Sequence, residues 1–183
     1  MTRSHFILGG ARSGKSRRAL VVAEEAANRP VVIPDPEPVS NRPIFIATAE
    51  AWDDEMAERI ARHKTERGAE WSTLEAPLEL IAALETAVEK GDVCVVDCLT
   101  LWLSNLMHHD RDVDAETKRL CETISALSIP VILVSNEVGL GLVPETPLGR
   151  AFRDAQGRLN QDIAKVCERV EFIAAGLPML LKG

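Results

Sequence analysis

Short continuous apolar runs alternate along this chain with longer stretches in which apolar positions recur every three or four residues. The runs His5–Leu8, Ile44–Thr48, Val93–Asp97, Val131–Ser135 and Val170–Ala174 predict strands. Between them, Lys15–Asn28, Trp52–Arg67, Pro77–Lys90, Leu99–His108, Ala115–Leu127 and Gly149–Glu168 predict helices. Strands that are apolar throughout, separated by helices, imply an α/β fold with a mostly parallel sheet and helices on both faces. Trp71–Glu75 predicts a short additional edge strand. At the end of the chain, Ala175-Gly176-Leu177-Pro178 separates two apolar runs and predicts a C-terminal antiparallel hairpin. Trp52, Trp71 and Trp102 are expected in the core or at an interface.

The stretch 28–43, NRPVVIPDPEPVSNRP, breaks this rhythm by carrying five of the ten prolines. Proline this dense blocks a helix and removes ladder donors, so a surface loop is expected. No internal repeat or boundary interrupts the rest, and residues 1–183 read as a single domain. The formal charge of -7 argues against a general nucleic-acid binder. No apolar run approaches a membrane span, and no charged-then-apolar leader opens the chain, so a cytoplasmic location is expected. Cys94, Cys98, Cys121 and Cys167 form no C-x-x-C pair and are expected to be free and buried.

The first apolar run leads into Gly9-Gly10-Ala11-Arg12-Ser13-Gly14-Lys15-Ser16, which matches the phosphate-binding loop G-x-x-x-x-G-K-[ST] between a strand and a helix. Gly9 and Gly14 let the backbone approach an anion closely, and the successive N–H groups and the helix start supply donors. Lys15 is expected on the β- and γ-phosphates and Ser16 on Mg²⁺. A second metal contact is expected from Asp97, at the end of the apolar run Val93–Val96. Asp97 would equally serve as a cap for the helix that follows. Open parallel sheets bind ligands beyond the carboxyl ends of their strands. Gly9, Thr48, Asp97, Cys98, Asn136 and Glu137 fall there. The loop NEVGLGLVPETP after them either lines that crevice, through Leu140, Leu142 and Val143, or packs onto the core.

In the stretch Trp52–Arg67, Met56, Ile60, His63 and Arg67 share one helical face. Glu55–Arg59 and Glu58–Arg62 are supporting i,i+4 pairs on the exposed side. From spacing alone, His63 reads most simply as a helix-end histidine that suits the C-terminal dipole. Its other role is chemical: a neutral imidazole attacks an α-phosphate, expels pyrophosphate and holds the nucleotide as a phosphoramidate.

Taken together, GGARSGKSR, IATAEAWDDEMAERIARHK, TLEAP, VVDCLTLWLSNL and VSNEVGLGLVPETPLGRAFRDAQGRLNQ resemble, in order and over nearly the whole chain, the bifunctional adenosylcobinamide kinase/adenosylcobinamide-phosphate guanylyltransferase family. The resemblance implies a RecA-like P-loop fold. It also implies two Mg²⁺-dependent reactions of late cobalamin assembly: phosphorylation of adenosylcobinamide by ATP or GTP, then transfer of GMP from GTP to that phosphate. It makes His63 the residue that carries GMP. It places nucleotide contacts on the loop from Gly9 through Arg17, on Ala47, Thr48 and Ala49, on Lys64, Thr65, Glu66 and Arg67, on Glu75 and on Asp97. By itself Glu75 would pass for an ordinary surface acid. A homotrimer is implied as well. The stretch 28–43 is longer than the family's usual link, and Arg62 stands where some relatives carry a second histidine. The residues alone leave two other readings: a P-loop kinase for another small alcohol with His63 structural, and a nucleotide-dependent switch or assembly module.

Overall fold

A computed structural model describes residues 3–27, 42–50 and 70–183. The apolar runs form strands β1 (Ser4–Gly9), β2 (Pro43–Ala47), β3 (Ser72–Glu75), β4 (Val93–Asp97), β5 (Val131–Asn136), β6 (Arg169–Ala174) and β7 (Leu177–Lys182). The helices are α1 (Lys15–Ala27), α2 (Leu80–Lys90), α3 (Leu99–His108), α4 (Val113–Ala126) and α5 (Pro147–Val166). The strands join in one sheet in the order β3-β2-β4-β5-β1-β6-β7, parallel except for β7. That is the predicted α/β arrangement with its antiparallel C-terminal hairpin. Ala175 and Gly176, both at positive φ (51° and 80°), make the two-residue turn between β6 and β7.

Both faces of the central strands are buried because alternate residues of each strand supply alternate cores, whereas β7 at the edge is exposed along its length. Phe6, Ile46, Cys94, Val96 and Leu133 point toward α2–α5, where Leu80, Leu84, Trp102, Leu103, Leu120 and Leu159 complete the larger core. Ile7, Phe45, Val95, Ile132 and Val134 point the other way, against Ala19 and Ala23 of α1. Trp102 is fully buried, and Trp71 packs edge-on against Phe45 with ring centroids 6.4 Å apart. Trp52, the segment Trp52–Arg67 and residues 28–41 lie outside the described residues.

Element boundaries depart from the periodicity where caps and tertiary bonds intervene. The stretch 28–43 was expected to be loop to its end, but Pro43 is the first residue of β2, a strand position that tolerates proline. The helix expected from Pro77 begins at Leu80, because the carbonyls of Pro77 and Leu78 accept bonds from Asn105 Nδ2 (3.0 Å) and Trp102 Nε1 (2.9 Å). The last helix starts two residues early. Thr146 Oγ1 accepts from Gly149 N (3.1 Å), and Pro147 occupies the first turn, where no N–H is needed. Cys121 is half-buried rather than buried; Cys94, Cys98 and Cys167 are buried, and all four thiols are free.

One charged group sits inside the smaller core. Glu171, in the middle of β6, is buried and accepts from Arg18 Nε (2.9 Å) and Nη2 (3.0 Å) and from Arg169 Nε (3.0 Å). These bonds tie α1 to the sheet just beyond the phosphate loop. Burial alone would raise the Glu171 pKa, but the bonds and charges of Arg18, His5 and Arg169 outweigh it and hold the carboxyl below its ordinary range.

His5 Nε2 lies 3.5 Å from Glu171 Oε2. Burial, with Arg169 and Arg18 also opposing protonation, depresses the His5 pKa from 6.5 to about 4, despite the attraction of Glu171. The unfolded chain therefore takes up a proton near pH 6.5 that the folded chain refuses until about pH 4. Stability is full above that upper value and falls as the pH drops through the window. On the order of 2 kcal/mol is lost between about pH 7.5 and 5. Thermal unfolding across this range is expected to show the loss, and His5→Gln to flatten it. A wild-type curve already flat would overturn this account.

Candidate active site

The phosphate loop is shaped by contacts that leave little freedom. A Cβ on Gly9 would lie 2.5 Å from the Ile173 carbonyl oxygen and 2.7 Å from Ser13 Oγ, so only glycine fits where β1 enters the loop. Gly14 has φ +100°, which disfavours any side chain. The loop is braced from outside: Gly176 N in the β6–β7 turn donates to Ser13 O (2.9 Å), and Glu137 N donates to Gly9 O (3.0 Å). Lys15, the first residue of α1, is only 7% exposed, and its Nζ donates to Gly10 O at 2.6 Å. Burial lowers its pKa, partly offset by Asp97, which places that carboxylate within electrostatic reach of the loop. Ser16 is half-buried in the first turn of α1, while Ala11, Arg12 and Arg17 are exposed.

The register of the parallel strands sets other predicted residues level with one another at the carboxyl edge of the sheet. Glu75 pairs with Ala47, and Ala47 with Asp97, across β3, β2 and β4. On the other side of β5, Gly9 pairs with Asn136. Ala47, Ala49 and Asp97 are half-buried and Glu75 is exposed. Asp97 ends β4, and the cap position of α3 falls on Cys98 rather than on Asp97. Thr48 is fully buried behind this row. Its hydroxyl donates to Cys98 O (2.7 Å) and accepts from Cys98 N (2.8 Å), and its carbonyl accepts from Asn105 Nδ2 (2.8 Å). Thr48 thus locks the end of β2 to the backbone that follows Asp97. Burial, reinforced by the Asp97 charge, pushes the Cys98 thiol up to about 11, so it stays protonated at neutral pH and is no nucleophile. Beyond Glu75 an apolar groove runs between β3 and α2, lined by Leu74, Pro77, Leu78, Ala82 and Ala83.

A buried polar network supports the edge from behind. Gln156 Nε2 donates to Ser135 Oγ (3.0 Å) and to Asn160 Oδ1 (2.9 Å), and Ser135 Oγ donates to Asn160 Oδ1 (2.8 Å). Asn160 Nδ2 in turn donates to Asn136 O (3.1 Å), while Asn136 N donates to Thr100 Oγ1 (2.8 Å). Both backbone groups of Asn136 are thereby fixed at the carboxyl end of β5, opposite Gly9.

A phosphate-loop motif with a carboxylate nearby is common to many activities, and comparison with known proteins narrows it. The family model for CobU, cobinamide kinase / cobinamide phosphate guanyltransferase, matches residues 5–181. The chain belongs to this family. It is 50% identical over 180 residues to the bifunctional adenosylcobalamin biosynthesis protein CobP of Pseudomonas aeruginosa, covering 97% of this chain and 96% of that one. To the bifunctional adenosylcobalamin biosynthesis protein CobU of Escherichia coli it is 34% identical, covering 97% and 98%. Among solved structures, the KaiC-like protein PH0186 of Pyrococcus horikoshii OT3 is similar with a TM-score of 0.52 at 11% identity, over 93% of this chain and 70% of that chain. This likeness shows the fold, a RecA-like P-loop arrangement.

Within this cobinamide kinase/guanyltransferase chain, Ala47, Glu75 and Asp97 stand level at the carboxyl edge of the sheet with Thr48 buried behind them. Asp97 is the one within electrostatic reach of the loop Gly9–Arg17, while Glu75 on β3 stands four strands from β1. His63, Lys64, Thr65, Glu66 and Arg67 lie outside the described residues. Sequence reading missed the supporting network. Its one local signal is the polar pair Gln156 and Asn160, four apart on the face of α5 that also buries Leu159 and Ile163.

Proposed function

We propose that this chain catalyses two successive transfers onto adenosylcobinamide. In the first, the aminopropanol hydroxyl attacks the γ-phosphorus of ATP or GTP. The bond to the β-phosphate oxygen breaks, giving adenosylcobinamide phosphate, a nucleoside diphosphate and a proton. In the second, an imidazole nitrogen of His63 attacks the α-phosphorus of GTP and pyrophosphate leaves. The phosphate of the corrinoid then displaces His63 from GMP, giving adenosylcobinamide-GDP and the free histidine. What carries this reading is the family match over nearly the whole chain, together with an intact phosphate loop whose Lys15 has Asp97 within electrostatic reach.

The roles follow from position. The backbone donors of Gly9–Ser16 and the Lys15 ammonium hold the phosphates, with Arg12 and Arg17 at the exposed rim. Ser16 and Asp97 offer a hydroxyl and a carboxylate, the hard oxygen donors that suit Mg²⁺, and Asp97 lies within electrostatic reach of Lys15. These two residues would hold the ion, which supplies charge neutralisation at the phosphates. Ala47, Ala49, Glu75 and the segment Lys64–Arg67 are assigned to the guanine nucleotide, with Thr48 as a positioning residue beneath them. A cytoplasmic site of action is part of the same reading; among the described residues no helix is long and apolar enough to cross a membrane. So is a homotrimer, supported by edge strand β7, which exposes Leu177, Met179, Leu180 and Leu181 by 53–70%.

The test is incubation with Mg²⁺ and GTP labelled at the α-phosphate, followed by denaturation. Protein-bound label stable to alkali and released by acid is expected. GTP binding without retained label would sink the covalent route.

A further inference from the structure

The loop between β5 and α5 carries an arrangement that nucleotide chemistry leaves unexplained. Its first residue is pinned to the phosphate loop by the Glu137 N to Gly9 O bond (3.0 Å). Glu137 Oε1 also accepts from Gly139 N (2.6 Å), which shapes the ascending limb. At the far end, Arg150 Nη1 donates to the carbonyls of Pro144 (3.1 Å) and Glu145 (2.7 Å). Between these two anchors, Leu140, Leu142 and Val143 are 81%, 96% and 64% exposed. The alternative of packing onto the core is thereby excluded for them. A single exposed leucine is ordinary, but three aliphatic side chains within four positions, held out by a loop fixed at both ends, form a contact surface.

We propose that this tip is the platform on which the corrin ring of the acceptor rests, an inference that builds on the two-transfer reading above. Three observations favour that occupant. The loop that carries the platform starts at the phosphate loop, where Glu137 N donates to Gly9 O, so a ring seated on it is placed to deliver a hydroxyl on a flexible arm to the γ-phosphate. The edge of a corrin ring carries methyl groups that aliphatic side chains such as the exposed Leu140, Leu142 and Val143 match. The tip Gly139–Pro144 is uncharged and flanked by Glu137 and Glu145. An alkylated cobalt(III) corrinoid carries net positive charge, because ring and alkyl ligand offset only part of the metal charge; the flanking carboxylates complement it. Leu140, Leu142 and Val143 thus determine acceptor affinity, while the nucleotide is held elsewhere.

The test is equilibrium dialysis of adenosylcobinamide against the full-length protein, read by the corrinoid's own visible absorbance, for wild type and the Leu142→Ser/Val143→Ser double variant. GTP affinity, protein-bound GMP formed without corrinoid, melting temperature and mass by light scattering are measured in parallel. About tenfold weaker corrinoid binding in the variant is expected, with GTP affinity, melting temperature and mass unchanged. Equal corrinoid binding by both proteins would overturn the platform, as would failure of the wild type to bind the corrinoid. A change of mass in the variant would also overturn it, assigning the tip to a contact between copies of the chain. The two-transfer reading fails separately, through absence of the phosphorylated corrinoid or of bound GMP in the wild type.

Discussion

Lys15→Met is expected to depress both transfers together, each by about 10³-fold in kcat/KM, with the fold intact. The magnitude is that of removing one preorganised electrostatic contact from a site where phosphate charge develops. Lys15 stands at the first turn of α1, only 7% exposed, with Nζ donating to Gly10 O. Its ammonium is therefore held against the loop before any phosphate arrives, and little reorganisation remains. Methionine keeps the aliphatic length and removes the charge, and α1 still packs through Ala19 and Ala23. Melting temperature should change little, because the lost charge was partly desolvated and its one bond ends on a carbonyl. Lys15→Arg should not rescue, since a planar guanidinium cannot occupy the space of a compact ammonium. Steady-state rates for both reactions decide the matter. Loss of one with survival of the other would mean that the two triphosphates do not share this loop.

How much of this could be read beforehand differs by layer of the structure. The strand run Val93–Val96 ending in Asp97 was legible because continuous apolar residues and a terminal carboxylate are local facts. So was the phosphate loop, whose glycines answer to backbone needs that the structure shows at Gly9 and Gly14. Helix boundaries were less legible: the start of α2 is set by Asn105 and Trp102, side chains 24 to 28 residues away. The parts written in no local pattern are the long-range polar contacts. Arg18 and Glu171 are 153 residues apart, and neither the amphipathic helix nor the apolar strand signals that they meet. Thr48 looked like a ligand at a strand end, yet its hydroxyl is spent on Cys98, 50 residues on. Gln156 and Asn160 interrupt a buried helix face without stating what they support. In each case polar groups excluded from water had to find partners, and the partner is chosen by topology rather than by neighbouring sequence.

The same topology gives the site two kinds of rigidity. Thr48 and Asn105 fix the backbone beside Asp97, while Thr100, Ser135, Gln156 and Asn160 fix Asn136 on the neighbouring strand. The carboxyl ends of β4 and β5, between Asp97 and Gly9, are therefore held through buried side chains. A network of this kind keeps backbone donor and acceptor positions constant at the strand ends.

His63→Ala is expected to separate the two reactions. Transfer of GMP should fall by about 10⁴-fold or more, the scale on which nucleophile removal acts, while phosphorylation of adenosylcobinamide continues. The reason lies in the bonds each step breaks. Kinase chemistry needs only the acceptor hydroxyl delivered to the γ-phosphate, and no protein nucleophile. Guanylyl transfer by the proposed covalent route uses a group that attacks the α-phosphorus and later leaves, and a neutral imidazole does both near neutral pH. Arg62 is always protonated and has no lone pair to offer, and the Cys98 thiol is held protonated by burial. His63→Gly gives the sharper measurement, because it leaves room for free imidazole. Added imidazole should restore part of the GMP transfer to that variant and none to a Lys15→Met/His63→Gly double variant, whose cradle lacks its cation. If His63→Ala instead slows both reactions equally with GTP affinity retained, His63 supports the site as a whole. If it slows neither, the corrinoid phosphate attacks GTP directly and no covalent nucleotide intervenes.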